Sequence, residues 1–196
     1  MKSKNLKSNK SRIISGPFEI FPDLYKDSRG YFYESWNQKS FNKLVGKKIN
    51  FVQDNESMSF CNVIRGLHYQ LDPKPQAKLV RVIKGKVYDV IVDLRMNSKT
   101  FGEWTCLEIS ETKKNQLWIP VGFAHGFMTI SDYAILQYKV TDFWSSEDER
   151  CLLWNDKKIN IIWPELFEKS KGFNISDKDA KGLTFEEAKI NKFLFS

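Results

Sequence analysis

The sequence predicts an all-β protein folded as a closed sandwich or barrel, and three observations support this. The chain is 41% hydrophobic and 14% aromatic, with 15 Phe, 7 Tyr and 6 Trp, a balance that favours strands over helices. Most of it divides into short apolar or alternating runs separated by Gly, Pro and Asn. These runs follow one another at nearly even spacing, which is typical of sandwiches and barrels.

Two strands and a turn are predicted near the start of the chain. The strands cover 18–24 and 31–36, and the turn between them covers 26–30. Gly30 can supply the positive φ that a tight turn requires, because it has no Cβ.

Two segments have the spacing of short helices instead. Apolar residues recur at helical spacing over 38–45, and Gly46 follows as a helix terminator. The second segment, 184–192, has Thr184 as its cap and Glu187 three residues later, the pattern of a capping box.

The rest of the sequence is predicted to form strands. They are 49–53, 63–69, 78–83, 86–94, 104–109, 118–120, 126–130 and 134–140. The step over 83–87, centred on Gly85, has the form of a hairpin turn.

Length and charge predict one domain with a basic tail. A chain of 196 residues is long enough for one hydrophobic core and short for two, so a single domain is expected over 16–196. The net charge is +7, but the first twelve residues contain five basic side chains and no acid. Residues 1–15 are therefore expected to be a disordered, solvated tail, and no nucleic-acid partner is expected.

The compartment can also be predicted. No apolar run approaches the roughly 18 residues of a membrane span, and the basic start lacks the apolar segment of a signal peptide. A cytoplasmic protein without membrane contact is expected.

Cysteine and histidine patterns give no sign of a metal site. Cys61, Cys106 and Cys151 are odd in number and form no C-x-x-C pair, which argues against disulfides and zinc. The two histidines, His68 and His125, are far apart and have no third ligand nearby in sequence. No metal is expected.

Several common catalytic motifs are absent. The sequence has no Gly-x-Gly-x-x-Gly, Walker or Gly-x-Ser-x-Gly pattern. The phosphate-binding loops of dinucleotide and P-loop enzymes and the nucleophile turn of serine hydrolases are therefore absent. Acid–base chemistry by His, Tyr, Asp and Lys remains. From the residues alone, however, a Gly-flanked His in an apolar segment can equally be a hydrogen-bonded core residue.

Seven short strings give a more specific signal. They are FVQDN at 51–55, RGLHYQ at 65–70, KLVR at 78–81, TFG at 100–102, QLWIP at 116–120, GFAHGF at 122–127 and WND at 154–156. Together, in this order, they resemble the dTDP-4-dehydrorhamnose 3,5-epimerase family. The resemblance extends over about 18–179.

The resemblance implies a fold, a reaction and an assembly. The fold would be a cupin-type jelly-roll β-barrel with a few short peripheral helices, usually paired as a homodimer. The enzyme would invert C3 and C5 of dTDP-4-keto-6-deoxy-D-glucose to give dTDP-4-keto-L-rhamnose, without cofactor or metal. This reaction belongs to dTDP-L-rhamnose synthesis, which can supply lipopolysaccharide or O-antigen.

The resemblance also assigns four catalytic residues. The C4 carbonyl acidifies the hydrogens at C3 and C5, so a base can form an enolate and an acid on the opposite face can return the proton. His68 matches the base and Asp179 the carboxylate that orients it. Tyr138 matches the acid, and Lys78 a cation that stabilises enolate charge. Without the resemblance, packing would explain Tyr138 and solvation would explain Lys78.

Further positions match substrate contacts. His125 is expected to face the sugar, and Asp89 is a candidate to hold it, although a structural hydrogen bond would explain Asp89 equally well. The positions that match nucleotide-binding residues are Arg29, Glu34, Gln53, Asn55 and Arg65. Arginine suits a diphosphate because its donors form a fork, and Arg29 is expected to reach the neighbouring subunit's site.

Three departures from the family pattern leave alternatives open. Glu56 replaces a common His, Ala77 replaces a Gly before Lys78, and Gly182 stands near a usual Pro. A related epimerase could act on one carbon or on another nucleotide sugar. A cupin-like module could instead bind a sugar nucleotide without turning it over, but it would be expected to lack the base or the acid.

Overall fold

The structure is a computed structural model that describes residues 1–165 and 172–196. The described residues form two large antiparallel sheets, one two-stranded hairpin and three short helices. This architecture agrees with the predicted all-β jelly roll with a few short peripheral helices.

One large sheet has six strands. In spatial order they are β1 (Lys2–Lys7), β2 (Ile13–Phe21), β10 (Gln116–Ile119), β7 (Lys78–Lys84), β12 (Tyr133–Val140) and β5 (Gln53–Phe60). The strands are numbered along the chain, so the sheet order shows how often the chain leaves this sheet and returns.

The other large sheet has five strands. They are β13 (Glu149–Cys151), β6 (Ile64–Gln70), β11 (Phe123–Thr129), β8 (Lys86–Asp93) and β9 (Trp104–Ser110). The separate hairpin consists of β3 (Tyr25–Asp27) and β4 (Gly30–Phe32).

The main core lies between the two large sheets. Val80 and Leu136 of the six-stranded sheet belong to the same buried cluster as Ile91 and Phe127 of the five-stranded sheet. Burial of these apolar side chains holds the sheets face to face. From β5 to β8 the chain changes sheet at every strand, as in a jelly roll.

Helices cover the outer faces of the sheets. In α1 (Gln38–Val45), Phe41 packs edge-on against Trp118 of β10, with ring centroids 5.2 Å apart. The third helix, α3 (Phe185–Ile190), contributes Phe185 and Ala188 to a cluster on the five-stranded sheet. Another short helix, α2 (Asp177–Ala180), lies between α1 and α3 in the sequence and contacts β6.

Both predicted helices are confirmed: α1 has the predicted bounds, and α3 begins after the predicted Thr184 cap but ends at Ile190, two residues earlier than expected. Gly46 follows α1 with φ of 79°, and the capping box of Thr184 and Glu187 opens α3. These signals are local, because a helix end is satisfied by side chains within one turn of it.

The N-terminal prediction was wrong, because residues 2–7 form β1 rather than a disordered tail. This strand pairs with β2 along its length, with a register shift between Asn5 and Lys7. Leu6 is buried while the lysines stay exposed. Backbone hydrogen bonds carry such an edge strand, so its charged side chains need no burial.

Two smaller predictions also fail. The strand expected over 49–53 begins only at Gln53, in the polar segment that forms β5. Gly85 turns the chain with φ of 74°, but β7 and β8 on either side belong to different sheets and do not form a hairpin. Sequence spacing predicts the turn and not the sheet that the next strand joins.

Within residues 1–165 and 172–196, no helix combines the length and the apolar character needed to cross a membrane.

Candidate active site

The candidate site lies between the two sheets and begins with two histidines in register. His68 of β6 stands opposite His125 of β11, and Cys151 of β13 stands on the other side of His68. Directly opposed residues in neighbouring strands share one face of a sheet. Phe123 and Phe127, two residues before and after His125, belong to the core between the sheets, so this face is the inner one.

His68 forms a hydrogen-bonded dyad with Asp179. The His68 Nε2 atom lies 2.8 Å from Asp179 Oδ1, and the backbone N–H of Gly66 donates to Asp179 Oδ2 at 3.0 Å. Asp179 is delivered by α2, which begins at the Ser176 cap. Burial acts to raise the pKa of Asp179, but the hydrogen bonds and charge of His68 outweigh it, and the pKa is lowered overall.

The direction of the hydrogen bond in this dyad follows from its chemistry. An ionised carboxylate only accepts hydrogen bonds, so Nε2 of His68 donates its hydrogen to Asp179, and in the base form of the imidazole Nδ1 is the nitrogen without a hydrogen. Nδ1 then keeps a lone pair and can accept a proton. The carboxylate would stabilise the resulting imidazolium.

His125 forms a second, deeper dyad with Asp89. Its Nε2 atom lies 3.0 and 2.9 Å from the two carboxylate oxygens of Asp89, a fully buried residue on β8. Burial raises the pKa of Asp89, opposed by His125 and by the charge of Lys78. The structure therefore brings Asp89 and His125 together, as expected.

The side chain of Lys78 reaches from the six-stranded sheet to the backbone of His68, in the first dyad. Its Nζ atom donates to the backbone carbonyl of His68 at 3.3 Å, and only 7% of the residue is exposed. Burial lowers the pKa of Lys78 to about 8, although the negative charges of Glu149 and Asp89 oppose the shift. Lys78 is thus a buried cation that can lose its charge within a mildly alkaline range.

Tyr138 occupies the inner face of the sheet opposite His68. It lies in β12, between Asn55 of β5 and Val80 of β7. Burial and the negative charge of Glu149 raise the pKa of Tyr138, while Arg65 lowers it. Its hydroxyl stays protonated at neutral pH, as a proton donor requires.

Three of the expected nucleotide-binding residues surround this region. The Nε atom of Arg65 donates to Ser59 Oγ at 2.8 Å across the two sheets, and Gln53 Nε2 donates to Asn55 Oδ1 at 2.8 Å. These contacts hold the side chains of Gln53, Asn55 and Arg65 beside Tyr138.

Arg29 and Glu34 lie elsewhere on the chain. Arg29 follows β3, pairs with Asp27 at 2.6 Å and has 88% of its side chain exposed. Glu34 accepts a hydrogen bond from Asn37 at 3.1 Å. Among the described residues, neither forms a hydrogen bond or an ion pair with the two dyads, Lys78 or Tyr138.

The structure adds Glu149, which sequence reasoning missed. Its charge acts on Lys78, Tyr138 and Cys151, and its carboxylate pairs with Lys178. The only sequence signal was a three-residue strand without apolar alternation, which is too short to recognise.

Cys151 is a further neighbour of the first dyad. Its Sγ atom lies 4.0 Å from Asp179 Oδ1. Burial and the negative charge of Asp179 raise the pKa of the Cys151 thiol to about 12, so it remains protonated at neutral pH.

The three departures have different surroundings. Glu56 accepts a hydrogen bond from Gln137 at 2.8 Å, on the face of the sheet opposite to Asn55 and Tyr138. Ala77 packs in the cluster beneath α1. A Cβ at Gly182 would lie 2.8 Å from the backbone of Leu152, so the chain passes closer here than a Pro would allow.

Comparison with known proteins gives a consistent result. The family model for dTDP-4-dehydrorhamnose 3,5-epimerase matches residues 11–187. A dTDP-4-dehydrorhamnose 3,5-epimerase of Shigella flexneri is 51% identical over 167 residues, which are 85% of this chain and 90% of the relative.

Solved structures are similar over most or all of the chain. The epimerase of Mycobacterium tuberculosis has a TM-score of 0.91 at 31% identity, covering 100% of this chain and 94% of that one. A dTDP-6-deoxy-D-glucose-3,5-epimerase of Legionella pneumophila, in complex with dTDP-4-keto-L-rhamnose, has a TM-score of 0.88 at 38% identity, covering 99% and 98%. A 3'-monoepimerase of Streptomyces bikiniensis, in complex with dTDP-quinovose, has a TM-score of 0.85 at 26% identity, covering 93% and 91%.

Proposed function

The chain belongs to the dTDP-4-dehydrorhamnose 3,5-epimerase family, and on that premise we propose that it inverts C3 and C5 of dTDP-4-keto-6-deoxy-D-glucose. The product is dTDP-4-keto-L-rhamnose, an intermediate of dTDP-L-rhamnose synthesis. One observation carries this proposal more than any other. His68 and Tyr138 lie on the inner faces of opposite sheets, so a base and an acid placed there could reach a sugar from two sides.

His68 is the base. Its Nδ1 atom takes the proton from C3 or C5, and the electron pair of the broken C–H bond forms an enolate with the C4 carbonyl oxygen. Asp179 accepts the hydrogen bond from Nε2–H and stabilises the positive charge on the ring. The proton on Nδ1 later passes to solvent.

Tyr138 is the acid, and Lys78 stabilises the enolate. The Tyr138 hydroxyl gives its proton to the opposite face of the carbon, which inverts the centre, and the phenolate regains a proton from solvent. A buried ammonium is effective against developing enolate charge, because the surrounding sheets exclude water. His125, held by Asp89, orients the sugar.

The nucleotide is held by residues of two subunits. Arg65, Gln53 and Asn55 bind it from the chain that supplies His68. Arg29 and Glu34 reach the site of the partner in a homodimer. The exposure of Arg29, together with the exposed Tyr31 and Phe32 on the same hairpin, supports this arrangement.

The reaction needs no cofactor and takes place in the cytoplasm. Proton removal and return are redox-neutral, so protein side chains suffice. The free thiols of Cys61, Cys106 and Cys151 fit a reducing compartment.

Proton NMR in D₂O tests the assignment. The parent protein should exchange the C3 and C5 hydrogens of dTDP-4-keto-6-deoxy-D-glucose for deuterium and form the inverted product. His68→Asn should lose exchange at both carbons. Tyr138→Phe should retain exchange, because His68 can return deuterium to its own face, and should lose the inverted product.

Tyr133→Phe is the matched control, since Tyr133 begins the same strand but is exposed. It should behave as the parent does. Exchange at one carbon only would show that the protein is a mono-epimerase rather than a double epimerase. Undiminished exchange in His68→Asn would contradict the assigned base, and binding without exchange in the parent would favour a non-catalytic module.

A further inference from the structure

We propose that His68, Cys151 and Asp179 form a site for a thiophilic divalent cation such as Zn²⁺, and that the bound cation inhibits the enzyme. The three residues come from β6, β13 and the helix α2, so the site exists only in the folded chain. Inhibition rests on the proposed function of His68, whereas binding of the cation does not.

The ligand atoms already lie close to a coordinating arrangement. One ligand atom from each residue falls within 4.8 Å of the other two. The nitrogen and oxygen are 2.8 Å apart, and the sulfur and oxygen are 4.0 Å apart. A tetrahedral zinc ion with bonds of about 2.0–2.3 Å spaces its ligand atoms roughly 3.3–3.8 Å apart. Movements of less than about 1 Å would therefore seat the ion.

The donor set is suited to zinc. Thiolate and imidazole are the ligands that zinc prefers, and a carboxylate completes a set of three protein ligands with a fourth position for water. Within the described residues, the other dyad, His125 and Asp89, has no third histidine, cysteine or carboxylate close enough to complete a metal site. The side chain of His68 is 28% exposed, so a cation can reach it from solvent.

Binding of the cation inactivates His68 as a base, because it moves the imidazole proton from Nε2 to Nδ1. Before binding, Nε2–H of His68 donates to Asp179 and Nδ1 holds the lone pair. The cation takes the lone pair of Nε2 once that proton has moved to Nδ1, and it takes the Cys151 sulfur as its proton leaves to solvent. With its proton on Nδ1, the imidazole can no longer accept one from the sugar. The nucleotide contacts are untouched, so kcat should fall while KM stays near its original value.

Cobalt binding tests the site without any assay of activity. Titration of the purified protein with Co²⁺ should produce a thiolate-to-cobalt charge-transfer band in the near ultraviolet. Cys151→Ser should abolish the band, and Cys61→Ser should keep it, because Cys61 is an exposed thiol elsewhere. Absence of the band in the parent, or its survival in Cys151→Ser, would overturn the proposal.

Zinc inhibition tests the consequence. Saturating Zn²⁺ should slow deuterium exchange in the parent by about 100-fold or more, the scale of a lost general base, and EDTA should restore it. Cys151→Ser should match the parent without zinc and resist inhibition, and Mg²⁺ should have no effect on either protein. Equal inhibition of the variant would refute the site. If the parent shows no exchange at all, the proposed function fails and the cobalt result alone decides.

Discussion

At the scale of single residues, two histidine–aspartate pairs of the same composition have different environments. The side chain of His68 is 28% exposed and that of His125 is 8% exposed. The pKa of Asp179 is lowered overall, whereas burial raises the pKa of Asp89. A partly exposed histidine beside an ionised carboxylate suits a base that must exchange protons, and the buried pair suits a fixed contact to the substrate.

Replacing the carboxylate of the first pair should therefore slow the chemistry more than binding. Asp179→Asn removes the negative charge that stabilises the His68 imidazolium. We expect kcat to fall by about 100-fold or more while KM changes little. Steady-state kinetics measure both constants.

The matched variant is Asp89→Asn, which removes the charge beside His125. It should raise KM at least as much as it lowers kcat, because His125 is assigned to hold the sugar. A kcat for Asp179→Asn equal to that of the parent would remove Asp179 from the catalytic dyad.

Lys78 should set an alkaline limit on activity. Burial lowers its pKa to about 8, so the side chain is charged below that pH and increasingly neutral above it. The neutral form would lack the positive charge that we propose stabilises the enolate. A profile of kcat/KM against pH, which reports groups of the free enzyme, should therefore fall above about pH 8.

Lys78→Arg provides the comparison, because arginine remains charged throughout the accessible range. Its activity should be lower but should lack this alkaline fall. A parent profile that stays flat up to pH 10 would show that the charge of Lys78 is not required.

The sequence predicted the dyad residues better than their surroundings. His68 and His125 are the only histidines, so any histidine chemistry had few candidates. Glu149 influences Lys78 and Tyr138 through space, and no local pattern connects it with either. Charge effects between distant segments become visible only once the strands are in register.

At the scale of elements, β6 and β11 approach each other unusually closely beside the two histidines. A Cβ at Gly66 would lie 2.6 Å from the carbonyl oxygen of His125 and 2.7 Å from Cα of Gly126. Gly66 also has φ of 111°, and its N–H donates to Asp179. This glycine lets the strands meet and aligns the first dyad at the same time.

Gly66→Ala should reduce both stability and activity. The added methyl group would force β6 away from β11, so we expect a loss of about 2 kcal/mol or more in the free energy of unfolding. Urea denaturation at fixed protein concentration measures the loss. The deuterium exchange rate should fall as His68 moves relative to Asp179.

Gly46→Ala separates the effect of backbone strain at positive φ from the effect of steric crowding by neighbouring atoms. Gly46 also has positive φ, but a Cβ there meets no atom within 4 Å. This variant should lose only about 1 kcal/mol and should keep full activity. If the two variants were equally stable and equally active, the close approach at Gly66 would have no functional importance.

The helices were predicted well because their signals are local in the sequence. The edge strands were predicted poorly because they depend on pairing with distant segments. The caps of α1 and α3 lie within one turn of each helix, and both helices were found. In contrast, β1 and β5 are edge strands with many polar residues, so they lack the apolar alternation that identifies a strand. Their backbone partners, which lie far away in sequence, stabilise them.

At the scale of the whole molecule, the hairpin of β3 and β4 stands apart from both large sheets. Within the described part of the chain, these two strands pair only with each other. Tyr25, Tyr31 and Phe32 are 64%, 56% and 67% exposed, a large apolar surface for so short a hairpin. Exposed apolar clusters of this kind are typical of interfaces. We therefore expect the hairpin to bring Arg29 to a neighbouring subunit.

A mixture of two inactive variants tests this exchange between subunits. In a homodimer, His68→Asn removes the base of its own site, and Arg29→Ala removes a nucleotide contact from the partner's site. A heterodimer of the two has one site with both defects and one intact site. After unfolding and refolding together, half of the dimers should be heterodimers, so the mixture should recover about a quarter of the parent's activity.

Refolding each variant alone is the control, and it should recover nothing beyond the weak activity of that variant. Light scattering of the same samples should show dimers throughout. If Arg29 served its own chain's site, each heterodimer would contain two damaged sites and mixing would restore no activity. Recovery on mixing thus depends on both the dimer and the crossing of the hairpin, because a site that one chain completes alone cannot be repaired by another.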